Sequence, residues 1–169
     1  MQLNTDGRMR TEAQQSQSIF TPKIGPYREE SMLTPKALPQ QFYILNTNIA
    51  NDDKHQRDML QKHKAIAAYN AKTGIEKLQK GDTVFLYQSG RGIVAAGTVS
   101  GKLERRSYQE DEEYSRQLAE FRYVSPPISA AEIKEITRKN WIFRPTIFGL
   151  DRGSGKKLQA TVNGRSSPE

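Results

Sequence analysis

Residues 80–100, Lys-Gly-Asp-Thr-Val-Phe-Leu-Tyr-Gln-Ser-Gly-Arg-Gly-Ile-Val-Ala-Ala-Gly-Thr-Val-Ser, constrain the fold more than any other stretch. Residues 84–87 and 93–99 are rich in β-branched and aromatic side chains, which suit a pleated, buried surface. Ser89-Gly-Arg-Gly92 between them supplies backbone that can turn tightly, so the segment predicts two antiparallel strands joined by a short connection. Gly81-Asp82 marks the turn before the hairpin, and Gly97 within the second strand predicts a bulge or the close approach of another group.

The remainder of the chain predicts short elements around that hairpin. Phe42-Tyr-Ile-Leu45 reads as an interior strand, with Asn46, Thr47 and Asn48 at its end, where such side chains bond to backbone in turns. Asp52-Asp53 favours a helix start, and Met59, Leu60, His63, Ile66 and Ala67 recur at helical spacing as far as Tyr69. His63 on that stripe fits a core or boundary histidine, and its spacing from His55 does not make a metal pair. Thr73-Gly-Ile-Glu76 has the form of a capping box and predicts a helix over 74–79.

Beyond the hairpin, the outgoing strand is expected to continue through residues 102–104, with Arg105 and Arg106 at its end. Residues 110–120 are charged all round and read as a solvated excursion. Residues 120–124 alternate like a strand that Pro126-Pro127 should halt. Ser129-Ala-Ala-Glu132 is a second capping box, which predicts a helix to about Lys139. Residues 146–150 resemble one more strand, and Ser154 can cap a last helix over 156–161. About five strands and three or four helices suit an α+β domain with a curled, mostly antiparallel sheet.

Several chemistries are disfavoured. The chain has 169 residues, no cysteine and two histidines, enough length for one core but little material for a metal centre and none for disulfides. Gly153-Ser-Gly-Lys156 fails as a phosphate loop, because Leu150 stands at the first glycine position and Lys157 at the hydroxyl position. Ser89 lacks the nucleophile-elbow frame, and no paired-carboxylate motif stands out, so neither an enzyme nor a cofactor is expected. No stretch approaches the about 20 apolar residues of a membrane span, and the N-terminus lacks an apolar signal core. The reading is therefore a soluble, cytoplasmic chain.

Charge points outward to a polyanion. The net charge is +7, and Lys or Arg neutralising a phosphate releases a counterion. The sign is uneven, since Glu110-Asp-Glu-Glu113 is acidic while Arg138, Lys139, Arg144, Arg152, Lys156 and Lys157 crowd the last third. These six are the candidate phosphate contacts. For a planar ligand, Tyr87, Trp141, Phe143 and Tyr43 offer stacking, at about 1 to 3 kcal/mol per base, and Asn46, Asn48 and Ser89 offer hydrogen bonds to a base edge. Tyr87 or Trp141 alone would also fit an ordinary core aromatic, and Phe42 and Phe85 read as core.

Residues 42–48 (Phe-Tyr-Ile-Leu-Asn-Thr-Asn), 78–89, 92–99 and 143–147 (Phe-Arg-Pro-Thr-Ile) together resemble the EVE domains of the PUA-like superfamily. The resemblance covers roughly residues 41–162. It implies a pseudo-barrel sheet with flanking helices and a pocket for a modified or flipped base, as in the related YTH readers. By motif position, Asn46, Thr47, Asn48, Tyr87 and Ser89 would line that pocket, and Trp141 joins them as a stacking candidate. Tyr43 stands where the family usually has Trp, and the Gly90-Arg-Gly92 turn is shorter than usual. The favoured function is a non-catalytic reader of DNA or RNA. The competing one is a protein-interaction module in which residues 1–40, a flexible arm rich in Gln, Ser, Thr and Pro, carry the contact. Residues 163–169 read as a disordered tail.

Overall fold

A computed structural model describes residues 39–47 and 53–168. The expected arm over residues 1–40, apart from its last two residues, and the pocket role of Asn48 lie outside the described residues. In chain order the elements are β1 (Phe42–Asn46), α1 (Asp53–Lys62), β2 (Lys64–Ala68), α2 (Lys72–Lys77), β3 (Thr83–Gln88), β4 (Gly92–Val99) and β5 (Glu104–Tyr108). Then follow β6 (Asp111–Ile128), α3 (Ala130–Thr137), β7 (Ile147–Leu150), α4 (Arg152–Arg165) and β8 (Ser166–Pro168).

The eight strands form one mixed sheet, curled into a half-barrel, in the order β2-β6-β4-β3-β1-β7, with β5 and β8 also paired to β6. Only β1 and β3 run parallel; every other pairing is antiparallel, as the sequence predicts. Both faces of the central strands are covered, which is why they read as near-continuous apolar runs. Leu45, Val84 and Leu86 face a cluster containing Met59, Ile66 and Ile75. Phe42, Ile44, Phe85 and Tyr87 face a second one, closed by Ile133 of α3 and Leu158 of α4.

The hairpin β3–β4 forms as expected, with Gly90 and Gly92 at φ +84° and +116°. Gly97 does mark a close approach: a Cβ there would lie 2.8 Å from Leu118 Cβ, beside a register shift in the β4–β6 ladder. The Ser129–Glu132 capping box is also present, each residue's side chain accepting from the other's backbone N–H at 3.2 Å.

Several expectations are corrected. The helix starting near Asp53 ends at Lys62 instead of reaching Tyr69, because His63 turns into the left-handed region at φ +56° and residues 64–68 form β2. Ala65, Ile66, Ala67 and Ala68 are all at most 1% exposed, a burial on both faces that a strand inside the curl achieves and a half-solvated helix does not. Met59 and Ile66 share one core cluster, so the helical stripe was a true core signal that crosses an element boundary.

Residues 110–120 form no solvated excursion; most of them belong to β6, an 18-residue strand. Its charges have partners on neighbouring elements: Glu113 with His55 and Arg106, Asp111 with Lys72. Pro126-Pro127 do not halt it, since they sit where the register slips between Ile93 and Ala95 and no ladder bond is required. Residues 104–108 form a separate strand, β5, not a continuation of β4.

Thr73 caps nothing. Ala71 occupies the N-cap of α2, and the Thr73 hydroxyl donates to the Asn70 carbonyl at 3.2 Å. The last helix is capped by Asp151 in place of Ser154. Its carboxylate accepts from the Ser154 N–H at 2.9 Å and from the Ser154 hydroxyl at 2.8 Å. α4 runs past the expected end at 161 to Arg165, and residues 166–168 pair with β6, so residues 163–168 do not form the disordered tail that the sequence suggests. Gly155 on α4 packs against Phe42 so closely that a Cβ would lie 2.1 Å from the ring. The glycine of the apparent phosphate loop is thus a packing contact.

Candidate functional site

The side-chain alternation of a strand places Phe42, Ile44 and Asn46 of β1 on one face, and Phe85, Tyr87 and then Ser89 on the same face of its parallel neighbour β3. The C-terminal ends of both strands therefore bring Asn46 and Ser89 together. The Asn46 amide donates to Ser89 Oγ and to the Phe143 carbonyl, both at 3.4 Å. These are long contacts for a neutral amide. Ser89 is exposed and Asn46 half-buried, so this pair can meet a polar edge from outside.

Thr47 does not face outward. It is 0% exposed, its N–H donates to the Tyr87 carbonyl at 2.8 Å and its hydroxyl lies 3.3 Å from Gln56 Oε1. Thr47 holds the strand end in place. Tyr43 is on the opposite face, packed against the other core cluster, where burial and the nearby Asp82 carboxylate push its phenol up.

Tyr87 is 6% exposed and already stacked. Phe143 lies on its ring at 4.3 Å between centroids with 3° between planes. Burial pushes the Tyr87 phenol up as well. Phe143 meets Phe148 edge-on at 6.0 Å, and Phe148 lies 6.1 Å from Trp141. The Trp141 indole N–H donates to Thr137 Oγ1 at 2.9 Å, which fixes the ring to the end of α3. Tyr87 and Trp141 are thus not two walls of an open cage. They are the ends of a row of four aromatic rings whose middle members are Phe143 and Phe148. Sequence reasoning passed over Phe148; its place opposite Ile44 across the β1–β7 pairing is a long-range register that no local pattern carries.

All six candidate phosphate contacts are exposed. Lys139 is engaged internally, 2.6 Å from Asp151 and 6.0 Å from the centre of the Trp141 ring. That ammonium, with the Ser154 donors, holds the Asp151 carboxyl well below the usual carboxylate range. The same ion pair joins the C-terminal end of α3, where Arg138 sits at φ +61°, to the start of α4 with Arg152. Arg138, Arg144, Arg152, Lys156 and Lys157 have no acidic partner among the described residues.

A cavity of about 480 Å³ lies away from these groups, between Thr83, Thr98, Arg122, Gln159 and Asn163. It holds none of the sequence-predicted site residues. Among the described residues no group of three or more His, Cys, Asp or Glu could hold a metal ion, and no helix is long and apolar enough to cross a membrane.

A curled, mostly antiparallel sheet with one parallel pair and short flanking helices is the PUA-like architecture. The EVE domain family matches residues 41–149, and the chain belongs to that family. The solved structure of a hypothetical protein from Leishmania major is similar at a TM-score of 0.53 and 11% identity, over 75% of this chain and 96% of that one. A Pseudomonas syringae protein is similar at a TM-score of 0.48 and 12% identity, over 70% and 97%. A Rhodopseudomonas palustris protein gives 0.49 and 13%, over 73% and 93%. No curated protein matches the chain.

Proposed function

We propose that this EVE domain is a non-catalytic reader of nucleic acid that admits one base, modified or flipped, beside the ends of β1 and β3. PUA-like domains commonly bind nucleic acid, and the basic surface here supports the same reading. The observation that carries it is a juxtaposition. A polar pair, Asn46 and Ser89, adjoins the Tyr87–Phe143 stack, and Arg144, with no acidic partner among the described residues, directly follows Phe143 in the chain. Phe143 occupies the face of Tyr87 that a base would need. A base therefore enters by taking the place of Phe143, exchanging one stacking contact for another while adding edge hydrogen bonds to Asn46 and Ser89. Because the base takes over a stack that Phe143 already supplies, stacking nets little against the few kcal/mol that flipping costs, and the edge bonds decide which base is kept.

The test is fluorescence anisotropy with matched oligonucleotides, DNA and RNA, bearing modified or unmodified bases. Asn46→Ala and Ser89→Ala should flatten the preference among bases while leaving the backbone-driven affinity in place. Equal affinity of the unaltered protein for every base, unchanged by either substitution, would remove the pocket from the reading.

A further inference from the structure

The stretch between α3 and β7, residues 138–146, has no regular secondary structure beyond a turn and bends, yet two of its side chains are fixed. Trp141 is bonded to Thr137, and Phe143 is stacked on Tyr87. In an extended segment successive side chains point to opposite sides, so anchoring 141 and 143 inward drives residue 142 outward. That residue is Ile142, and it is 72% exposed.

An isolated exposed apolar side chain is ordinary on a protein surface. Two features separate this one from the other exposed large hydrophobic residues among those described. Tyr69 and Tyr123 are 39% and 37% exposed, and their hydroxyls donate to Gln109 and to the Leu60 carbonyl. Each thus presents a satisfied polar tip. Ile142 has no polar atom in its side chain, and it projects from a stretch bounded by Arg138 and Arg144, both exposed and without acidic partners among the described residues. A bare aliphatic group between cations suits neither a protein core nor an apolar partner, whose approach would strip water from the guanidinium groups. It suits a polyanion with an apolar interior, which is the description of stacked bases between phosphate strands.

We infer that Ile142 is a wedge that inserts into the base stack of a duplex, with Arg138 and Arg144 holding the flanking phosphates. Apolar wedges of this size unstack a base step and fill the gap it leaves. The inference rests on the nucleic-acid reading above and sharpens it to a substrate class: the preferred ligand is double-stranded, since only in a duplex does an extruded base leave a gap that the opposite strand keeps open for a wedge.

The experiment uses the full chain and a short duplex carrying 2-aminopurine next to the central base, in DNA and RNA forms, with the corresponding single strands as comparison. The unaltered protein should bind a duplex more tightly than its single strand and raise 2-aminopurine emission on binding. Ile142→Ala should abolish the rise and weaken duplex binding about tenfold, or about 1.4 kcal/mol, while the single-strand affinity and the dependence on salt stay unchanged. Ile142→Phe should restore both. Because the residue is exposed, the thermal melts of all three proteins should coincide. An Ile142→Ala protein that binds and unstacks the duplex like the original overturns the wedge. If base preference still depends on Asn46 in that case, the reader survives without the wedge. Failure of the unaltered protein to bind either form of oligonucleotide overturns both.

Discussion

At the corner where α1, β5 and the first half of β6 meet, the buried carboxylates are matched by cations and a histidine. Glu113, 3% exposed at its side chain, accepts from Arg106 and lies 2.8 Å from the fully buried His55 ring, while Asp58 takes Lys54 at 3.1 Å and Lys62 at 3.3 Å. These contacts lower the Asp58 pKa against the opposing effect of burial, which is the largest single influence on it. At the other end, formed by α3, residues 138–146 and the start of α4, Lys139 pairs with Asp151 and Glu132 with Arg165, while six cations, Lys134, Arg138, Arg144, Arg152, Lys156 and Lys157, face solvent with no acidic partner among the described residues. A count of Lys and Arg cannot distinguish the two regions. Partnering decides which cations hold the fold together and which remain to meet a polyanion.

Among the matched groups, Glu113 carries the most. Glu113→Ala leaves the buried His55 ring without its hydrogen-bond partner, and stability should fall by about 2 kcal/mol, the loss expected for a buried polar group left unsatisfied. Denaturant unfolding measures it. A loss below about 1 kcal/mol would mean that packing, not charge, holds this corner.

A smaller effect is expected at Asp151, where the N-cap of α4 and the partner of Lys139 coincide. Asp151→Ala should cost about 1 kcal/mol by removing the cap. Its folded pKa lies below the unfolded value, so the carboxylate stabilises the fold above about pH 4 and that contribution disappears as pH falls further. The gap in melting temperature between the two proteins should therefore close on acidification. The same change frees Lys139, and the salt dependence of oligonucleotide binding should steepen by about 0.7 to 0.9 in log–log slope.

The smallest change in stability belongs to the unmatched end. Lys156→Gln with Lys157→Gln should leave stability within about 0.5 kcal/mol. The salt slope should nonetheless fall by about 0.7 to 0.9 for each phosphate that the lysines no longer neutralise, equally for all base sequences. Arg105→Gln is the matched control: Arg105 lies 3.4 Å from Glu76 and over the Tyr114 ring, so its removal should not move the slope. A response of the slope to Arg105 equal to that of the two lysines would erase the distinction between the regions.

Local signals carried the parts of this structure that local physics decides. The hairpin turn needed only the permissive backbone of Gly90 and Gly92, and the Ser129–Glu132 box closes within one turn of helix. Thr73-Gly-Ile-Glu76 has the same spelling, but there Ala71 entered the helix from a preceding 3-10 turn and took the cap position first. Residues 110–117 look solvated because their partners, His55, Lys72 and Arg106, are distant in sequence or on another strand. Within the candidate site, the polar ends of β1 and β3 were legible from strand period and composition. That Phe143 already covers Tyr87, and that Trp141 is tied to Thr137, depends on how residues 138–146 return across the sheet, which no spacing encodes.

The position of β1 also bears on how the chain is made. β1 is the first strand described, yet it sits between β3 and β7, and Phe42 is closed over by Gly155. During synthesis the apolar run of residues 42–46 emerges early and cannot acquire its antiparallel neighbour until residues 147–150 have left the ribosome, about 100 residues and roughly 5 to 20 seconds later. Over that interval the nascent chain carries a β-edge of buried-type residues with one side unpaired. Such an edge is a site for holdase chaperones and for mispairing between neighbouring chains on a polysome.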